Sequence, residues 1–166
     1  MQYPLYTRIK IWPNRPKSLK SGVKGVYNEF VMKEERKRIL LIEDDGTLRT
    51  LYTDALQADG FEVDQAVEGK EGLLKARNGG YDLVLLDILL PGLQGQEILE
   101  GLRTQPPHKT NGPIVMLTNQ SQPEILRQCH ELGAVGEIIK SDVTPKEFIQ
   151  FVRGFLDSPG NPGPEA

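Results

Sequence analysis

Four short apolar runs in this 166-residue chain each stop at a side chain able to handle a metal ion or a phosphate. Ile39-Leu40-Leu41-Ile42 is followed by Glu43, Asp44 and Asp45; Leu83-Val84-Leu85-Leu86 by Asp87; Ile114-Val115-Met116-Leu117 by Thr118; and Glu137-Ile138-Ile139 by Lys140. Carboxylates drawn together repel one another, so a cluster of them attracts a hard divalent cation. An all-oxygen donor set with room for water favours Mg²⁺ or Mn²⁺ over zinc. Phosphoryl transfer in turn asks for an in-line nucleophile and positive charge on the equatorial oxygens. Asp87, the central carboxylate, suits the nucleophile that forms an acyl phosphate. Lys140 suits the point charge and Thr118 a hydrogen bond to the phosphoryl oxygens. Taken singly, Lys140 also reads as a surface ion-pair partner, which contributes little, and Thr118 as a turn or helix cap. Four such endings in one chain favour a common site.

The elements that must position these residues lie between 33 and 157, where short apolar runs alternate with helical periods. That alternation predicts an α/β fold: a doubly wound, five-stranded parallel sheet with helices on both faces. The expected strands are 38–42, 61–66, 81–86, 114–117 and 137–139. In such a sheet the strand C-terminal ends share one edge, and ligands bind in the crevice there. Leu48, Leu51, Tyr52, Ala55 and Leu56 share one face only if their segment is helical, and Phe148, Phe151, Val152, Phe155 and Leu156 repeat the spacing. Thr144-Pro145-Lys146-Glu147 marks the start of the last helix, with a cap, a first-turn proline and a back-bonding acid. Ser121-Gln122-Pro123-Glu124 opens another, running to about Leu132, with Ile125, Cys129 and Leu132 on its buried side and Cys129 as core filler. Gly69, Gly72, Gly95 and Gly101 weaken the helices expected near 68–78 and 94–103.

The length predicts one globular unit. Residues 1–31 carry six basic side chains against the single acid Glu29 and are broken by proline and glycine. Residues 1–32 are therefore expected to be a basic, disordered extension, and 158–166, rich in proline and glycine, a loose tail. A formal net charge of −3 argues against nucleic acid as a partner. No apolar run approaches the roughly 18 residues of a membrane-spanning helix. A lone cysteine cannot form an internal disulfide, which points to a reducing, cytoplasmic setting. His108 and His130 read as solvated or structural.

The segments Arg38-Ile-Leu-Leu-Ile-Glu-Asp-Asp45, Tyr81-Asp-Leu-Val-Leu-Leu-Asp-Ile-Leu-Leu-Pro-Gly92, Met116-Leu-Thr118 and Gly133-Ala134 leading to Ile138-Ile-Lys140 resemble the receiver domain of two-component response regulators. The resemblance spans about 125 residues, with every motif in order. It implies the chemotaxis-regulator-like, flavodoxin-like receiver fold and transfer of a phosphoryl group to Asp87 from a sensor histidine kinase or a histidine phosphotransfer protein. Glu43 and Asp44 would then be the acidic pair at Mg²⁺, with Asp44 a direct ligand and Glu43 acting through water. The backbone carbonyl of Leu89 would complete the shell, Thr118 would be the switch hydroxyl and Lys140 the phosphate-binding lysine. The chain would be a signalling domain that assists its own phosphorylation and dephosphorylation rather than a turnover enzyme.

Two positions depart from the family pattern. Glu137 stands where receivers carry the aromatic switch residue, and Ser141 follows the lysine in place of a cis proline, so that loop is expected to stay trans. The face made by the 121–132 helix, the 137–139 strand and the 145–156 helix would receive a downstream protein or a second copy. As the sequence stops soon after the last helix, a stand-alone receiver acting by protein contact is expected. An alternative is a non-phosphorylated pseudo-receiver, to which only Glu137 points. A haloacid-dehalogenase-type phosphatase would need a second Asp two residues after the nucleophile, where Leu89 stands. Glycine patterns of nucleotide-binding loops do not follow the first strand.

Overall fold

Alternate residues of the central strands are claimed by opposite faces of the sheet. Leu40, Ile42, Val84, Leu86 and Met116 enter one apolar cluster, while Ile39, Leu41, Leu83, Leu85, Val115 and Leu117 enter the other. A strand buried on both faces must be apolar throughout, and this is why these runs lack the polar alternation of a half-exposed strand. The computed structural model describes residues 9–11, 36–119 and 122–157.

The strands are β1 (Ile9–Ile11), β2 (Arg38–Ile42), β3 (Glu62–Ala66), β4 (Leu83–Asp87), β5 (Ile114–Thr118) and β6 (Gly136–Ile139). The helices are α1 (Gly46–Ala58), α2 (Gly69–Asn78), α3 (Gly95–Thr104), α4 (Pro123–Glu131) and α5 (Pro145–Asp157). The sheet order is β1-β6-β5-β4-β2-β3. From β6 to β3 the five strands pair in parallel, as expected. Tyr52 and Leu56 of α1 and Phe148, Val152 and Phe155 of α5 pack on one face, with Tyr52 and Phe148 stacked at 4.1 Å between ring centroids. Residues of α2, α3 and α4 pack on the other. At about 25 cal/mol per Å² of apolar surface removed from water, these two layers dominate the favourable side of folding.

The sixth strand corrects an expectation. Most of the stretch read as an unstructured arm, and the C-terminal tail, lie outside the described residues. Ile9–Ile11, however, form β1, which pairs antiparallel with β6, placing Ile9 opposite Ile138, Lys10 opposite Glu137 and Ile11 opposite Gly136. Three residues are too few to show a period, so the pairing partner is what makes this segment a strand.

Capping accounts for several helix starts. Asp45 accepts from the amides of Thr47 and Leu48 at the head of α1. Glu147 accepts from the Thr144 amide at 2.8 Å at the head of α5, and Glu97 from the Gln94 amide at 2.7 Å at the head of α3. The glycines expected to weaken α2 and α3 do not prevent them, because close packing requires those residues. A Cβ on Gly72 would lie 2.7 Å from Ile42 Cγ2. The helix expected from Ser121 begins at Pro123, after Gln122, and its fully buried members are Leu126 and Cys129, while Ile125 and Leu132 are half-buried. Among the described residues no helix is long and apolar enough to cross a membrane.

Candidate functional site

Chain order reverses beside β2: β3 lies on one side of it and β4 on the other. At such a switch point the loops leave in opposite directions and open a crevice at the strand C-terminal ends. Glu43 and Asp44 follow β2 directly, and Asp87 is the last residue of β4. One carboxylate oxygen from each of Glu43, Asp44 and Asp87 can be chosen so that all lie within 4.8 Å of one another. Asp44 is exposed, whereas Glu43 and Asp87 are buried, so the trio opens to solvent on the Asp44 side.

Lys140 enters from the far side of β5. It follows β6 immediately, in the first position of a short 3-10 turn, Lys140–Asp142. Its Nζ donates to Glu43 Oε2 at 2.8 Å and to Asp87 Oδ2 at 2.7 Å. The second oxygen of Glu43 accepts from the Asp45 amide at 3.2 Å, and that of Asp87 from the Leu89 amide at 3.1 Å. Burial pushes the Glu43 carboxyl up to about 7, helped by the charge of Asp87 and opposed by Lys140. For Lys140 burial works downward, but the hydrogen bonds it donates to Asp87 and Glu43 prevail and its pKa is raised, so it stays charged. One ammonium against three carboxylates leaves negative charge in excess, in a donor set made only of oxygen. This fits a hard cation such as Mg²⁺ or Mn²⁺.

The structure thus brings Glu43, Asp44, Asp87 and Lys140 together. Thr118 ends β5, buried, on the strand between Asp87 and Lys140, with Ile139 opposite it in register. Leu89 lies two residues beyond Asp87 and contributes the amide contact, while its side chain is half exposed. Glu137 is buried within β6, where its charge acts on Cys129 of α4. No cis peptide bond occurs among the described residues, as expected for the Lys140-Ser141 loop.

Two contributors escaped the sequence reading. Arg49, in the first turns of α1, donates to the backbone carbonyls of Glu43 at 2.9 Å and Asp44 at 3.1 Å, tying down the loop that carries both acids. The only signal for it is a basic residue five positions after Asp44. Gly95 is the other. Its amide donates to the Ile88 carbonyl at 2.9 Å, and a Cβ there would meet the Asp87 carbonyl oxygen at 2.5 Å. Any larger residue would push α3 away from the end of β4.

Comparison with known proteins agrees with this geometry. The sequence profile of the response regulator receiver domain matches residues 39–153. The transcriptional regulatory protein ResD of Bacillus subtilis is 31% identical over 119 residues, covering 72% of this chain and 48% of its own length. The DNA-binding response regulator MtrA of Mycobacterium tuberculosis is 36% identical over 121 residues, covering 73% and 51%. The chain therefore spans about half the length of these curated relatives. Among solved structures, a CheY-like receiver domain protein of Methanospirillum hungatei superposes with a TM-score of 0.65 at 30% identity, covering 74% of this chain and 94% of that one. The chemotaxis protein CheY4 of Vibrio cholerae gives 0.64 at 29% identity, covering 71% and 97%. Because relatives are named as transcriptional and DNA-binding regulators, the expectation against nucleic acid, drawn from the net charge, is not borne out. By its profile match, its relatives and its sheet order, this chain belongs to the response regulator receiver domain family, the signalling domains of two-component systems.

Proposed function

We propose that Asp87 accepts a phosphoryl group from a sensor histidine kinase or a histidine phosphotransfer protein, with Mg²⁺ held by Asp44, Asp87, the Leu89 carbonyl and, through water, Glu43. The observation that carries this reading is the contact of Lys140 with both Asp87 and Glu43, in a cluster that retains excess negative charge and an exposed side. A bound Mg²⁺ supplies charge neutralisation to the carboxylates and to the incoming phosphoryl oxygens.

Asp87 is held for attack by the Leu89 amide on one oxygen and Lys140 on the other. A carboxylate oxygen forms the new bond to phosphorus as the bond from phosphorus to the donor imidazole nitrogen breaks, its electron pair returning to the ring. Lys140 then has a phosphoryl oxygen to bind in place of the bare carboxylate, and the Thr118 hydroxyl donates to another. The added charge of about −1.5 to −2 pulls both side chains toward the phosphate. Movement of Thr118 and Lys140 would bias the neighbouring α4, β6 and α5, the face offered to a downstream partner.

The test is incubation with Mg²⁺ and acetyl phosphate, followed by intact mass beside Asp87→Ala. One added phosphoryl group on the wild type and none on the variant is expected. Labelling of both, or of neither, would refute Asp87 as the acceptor. Equal labelling after chelation would refute the role of the metal.

A further inference from the structure

β6 is the strand that delivers Lys140, and in a five-stranded parallel sheet it would be an edge. Edge strands present unpaired amides and carbonyls on their outer side, and they open more readily than central ones. Here that side is occupied. Ile9–Ile11 pair along it in antiparallel register, although 26 residues, 12–37, separate this segment from β2.

The backbone directions identify which groups the pairing covers. The Val135 amide donates inward to the Ile114 carbonyl at 2.8 Å. Successive amides of a strand point to opposite sides, so those of Glu137 and Ile139 also face β5, and those of Gly136 and Ile138 face outward. Gly136 and Ile138 are the residues opposite Ile11 and Ile9. The central pair of the register sets Lys10 opposite Glu137, and oppositely charged residues at opposed positions favour an antiparallel pairing. Glu137, where the family pattern has an aromatic, is 1% exposed on a strand that would otherwise border solvent.

We propose that Ile9–Ile11 acts as an intramolecular strand clamp on β6, closing this sheet edge to other strands and holding Lys140 in place over Asp87. The clamp on β6 stands independently of the proposed phosphoryl transfer; only the consequence for Lys140 rests on that reading. Its occupant is the chain's own arm, whose three residues run in unbroken antiparallel register along Gly136, Glu137 and Ile138.

Hydrogen exchange measured by NMR on the full chain tests this, comparing wild type with the double variant Ile9→Pro/Ile11→Pro, which removes two backbone donors, and with Lys10→Glu, which leaves the backbone intact. The amides of Gly136 and Ile138 should exchange about tenfold or more faster in the proline variant and several-fold faster in Lys10→Glu, with Leu83–Leu86 of β4 unchanged. Unchanged protection at Gly136 and Ile138 in both variants would overturn the clamp. So would wild-type protection that disappears on about twentyfold dilution, since the strand would then come from a second copy. With acetyl phosphate, the proline variant should label several-fold more slowly at unchanged Mg²⁺ affinity. Equal rates would remove the link to Lys140. Absence of labelling in every protein would defeat the phosphoacceptor reading, and the exchange data would still decide the clamp.

Discussion

Lys140 and Asp87 stand 53 residues apart in the chain and meet at 2.7 Å, with both side chains almost wholly shielded from water. The same ammonium reaches Glu43 at 2.8 Å, so a single cation neutralises two buried acids that approach it from different strands. Removing two carboxylates and an ammonium from water is costly, and the arrangement persists only because every remaining oxygen finds a backbone amide.

Replacing Lys140 by Met should expose that balance. With no ammonium, Glu43 and Asp87 become buried, unpaired neighbours, and breaking such a pair costs about 3–5 kcal/mol. In urea unfolding of the metal-free protein at pH 8, a loss of this size is expected. At pH 5 the loss should shrink, because the Glu43 carboxyl, already pushed up by burial, can take up a proton. A loss independent of pH would contradict the buried-charge account.

Glu43 should make stability fall as pH rises in the metal-free protein. Its carboxyl titrates near 7 in the folded chain and near 4.5 when unfolded, so its contribution is fully present below pH 4.5 and is lost as pH rises to about 7. Glu43→Gln should flatten that decline and be more stable than wild type at pH 8. Parallel pH curves for the two proteins would show that Glu43 is not the source.

Gly95→Ala tests how tightly α3 is pressed against the end of β4. The new Cβ would face the Asp87 carbonyl oxygen at 2.5 Å and the Ile88 Cα at 3.1 Å, and backbone cannot step aside as a side chain can. Ala gains about 1 kcal/mol in helix propensity over Gly, but overpacking costs about 1–3 kcal/mol and should prevail. A net loss of about 1 kcal/mol and shifted Asp87 and Leu89 amide resonances are expected. A more stable variant with unmoved resonances would refute the contact.

Cys129 should behave as core rather than as a reactive thiol. Burial, with a further push from Glu137, raises it to about 11. Iodoacetamide at pH 8 should therefore leave the native protein unmodified and label it fully in denaturant. Between pH 9 and about 11 the stability held by this thiol is lost, because only the unfolded chain then releases the proton. Rapid alkylation of the native protein would place Cys129 at the surface.

Much of the fold can be read along the chain because its cause is local. A strand covered on both faces must be a continuous apolar run, and the first polar residue after it marks the sheet edge where the chain leaves the core. Ile39–Ile42 before Glu43 and Leu83–Leu86 before Asp87 show this without any coordinates. The helical spacing that turns Leu48, Tyr52, Ala55 and Leu56 of α1 inward and the capping residues Thr144 and Glu147 are legible for the same reason, although Leu51, expected on that face, is 43% exposed.

Arg49 and Gly95 were not legible, since nothing in their neighbours reveals that one must reach back to two carbonyls and the other must admit a carbonyl oxygen. Nor could composition turn three residues of a proline-broken basic stretch into β1. Sequence alone determined which acidic, hydroxyl and amine side chains stand at the ends of which apolar runs. Tertiary structure decided which of them meet, how far burial shifts Glu43, and that a strand from the far end of the chain covers the edge beside Lys140. These depend on contacts between residues distant in sequence, and such contacts exist only once the sheet has assembled.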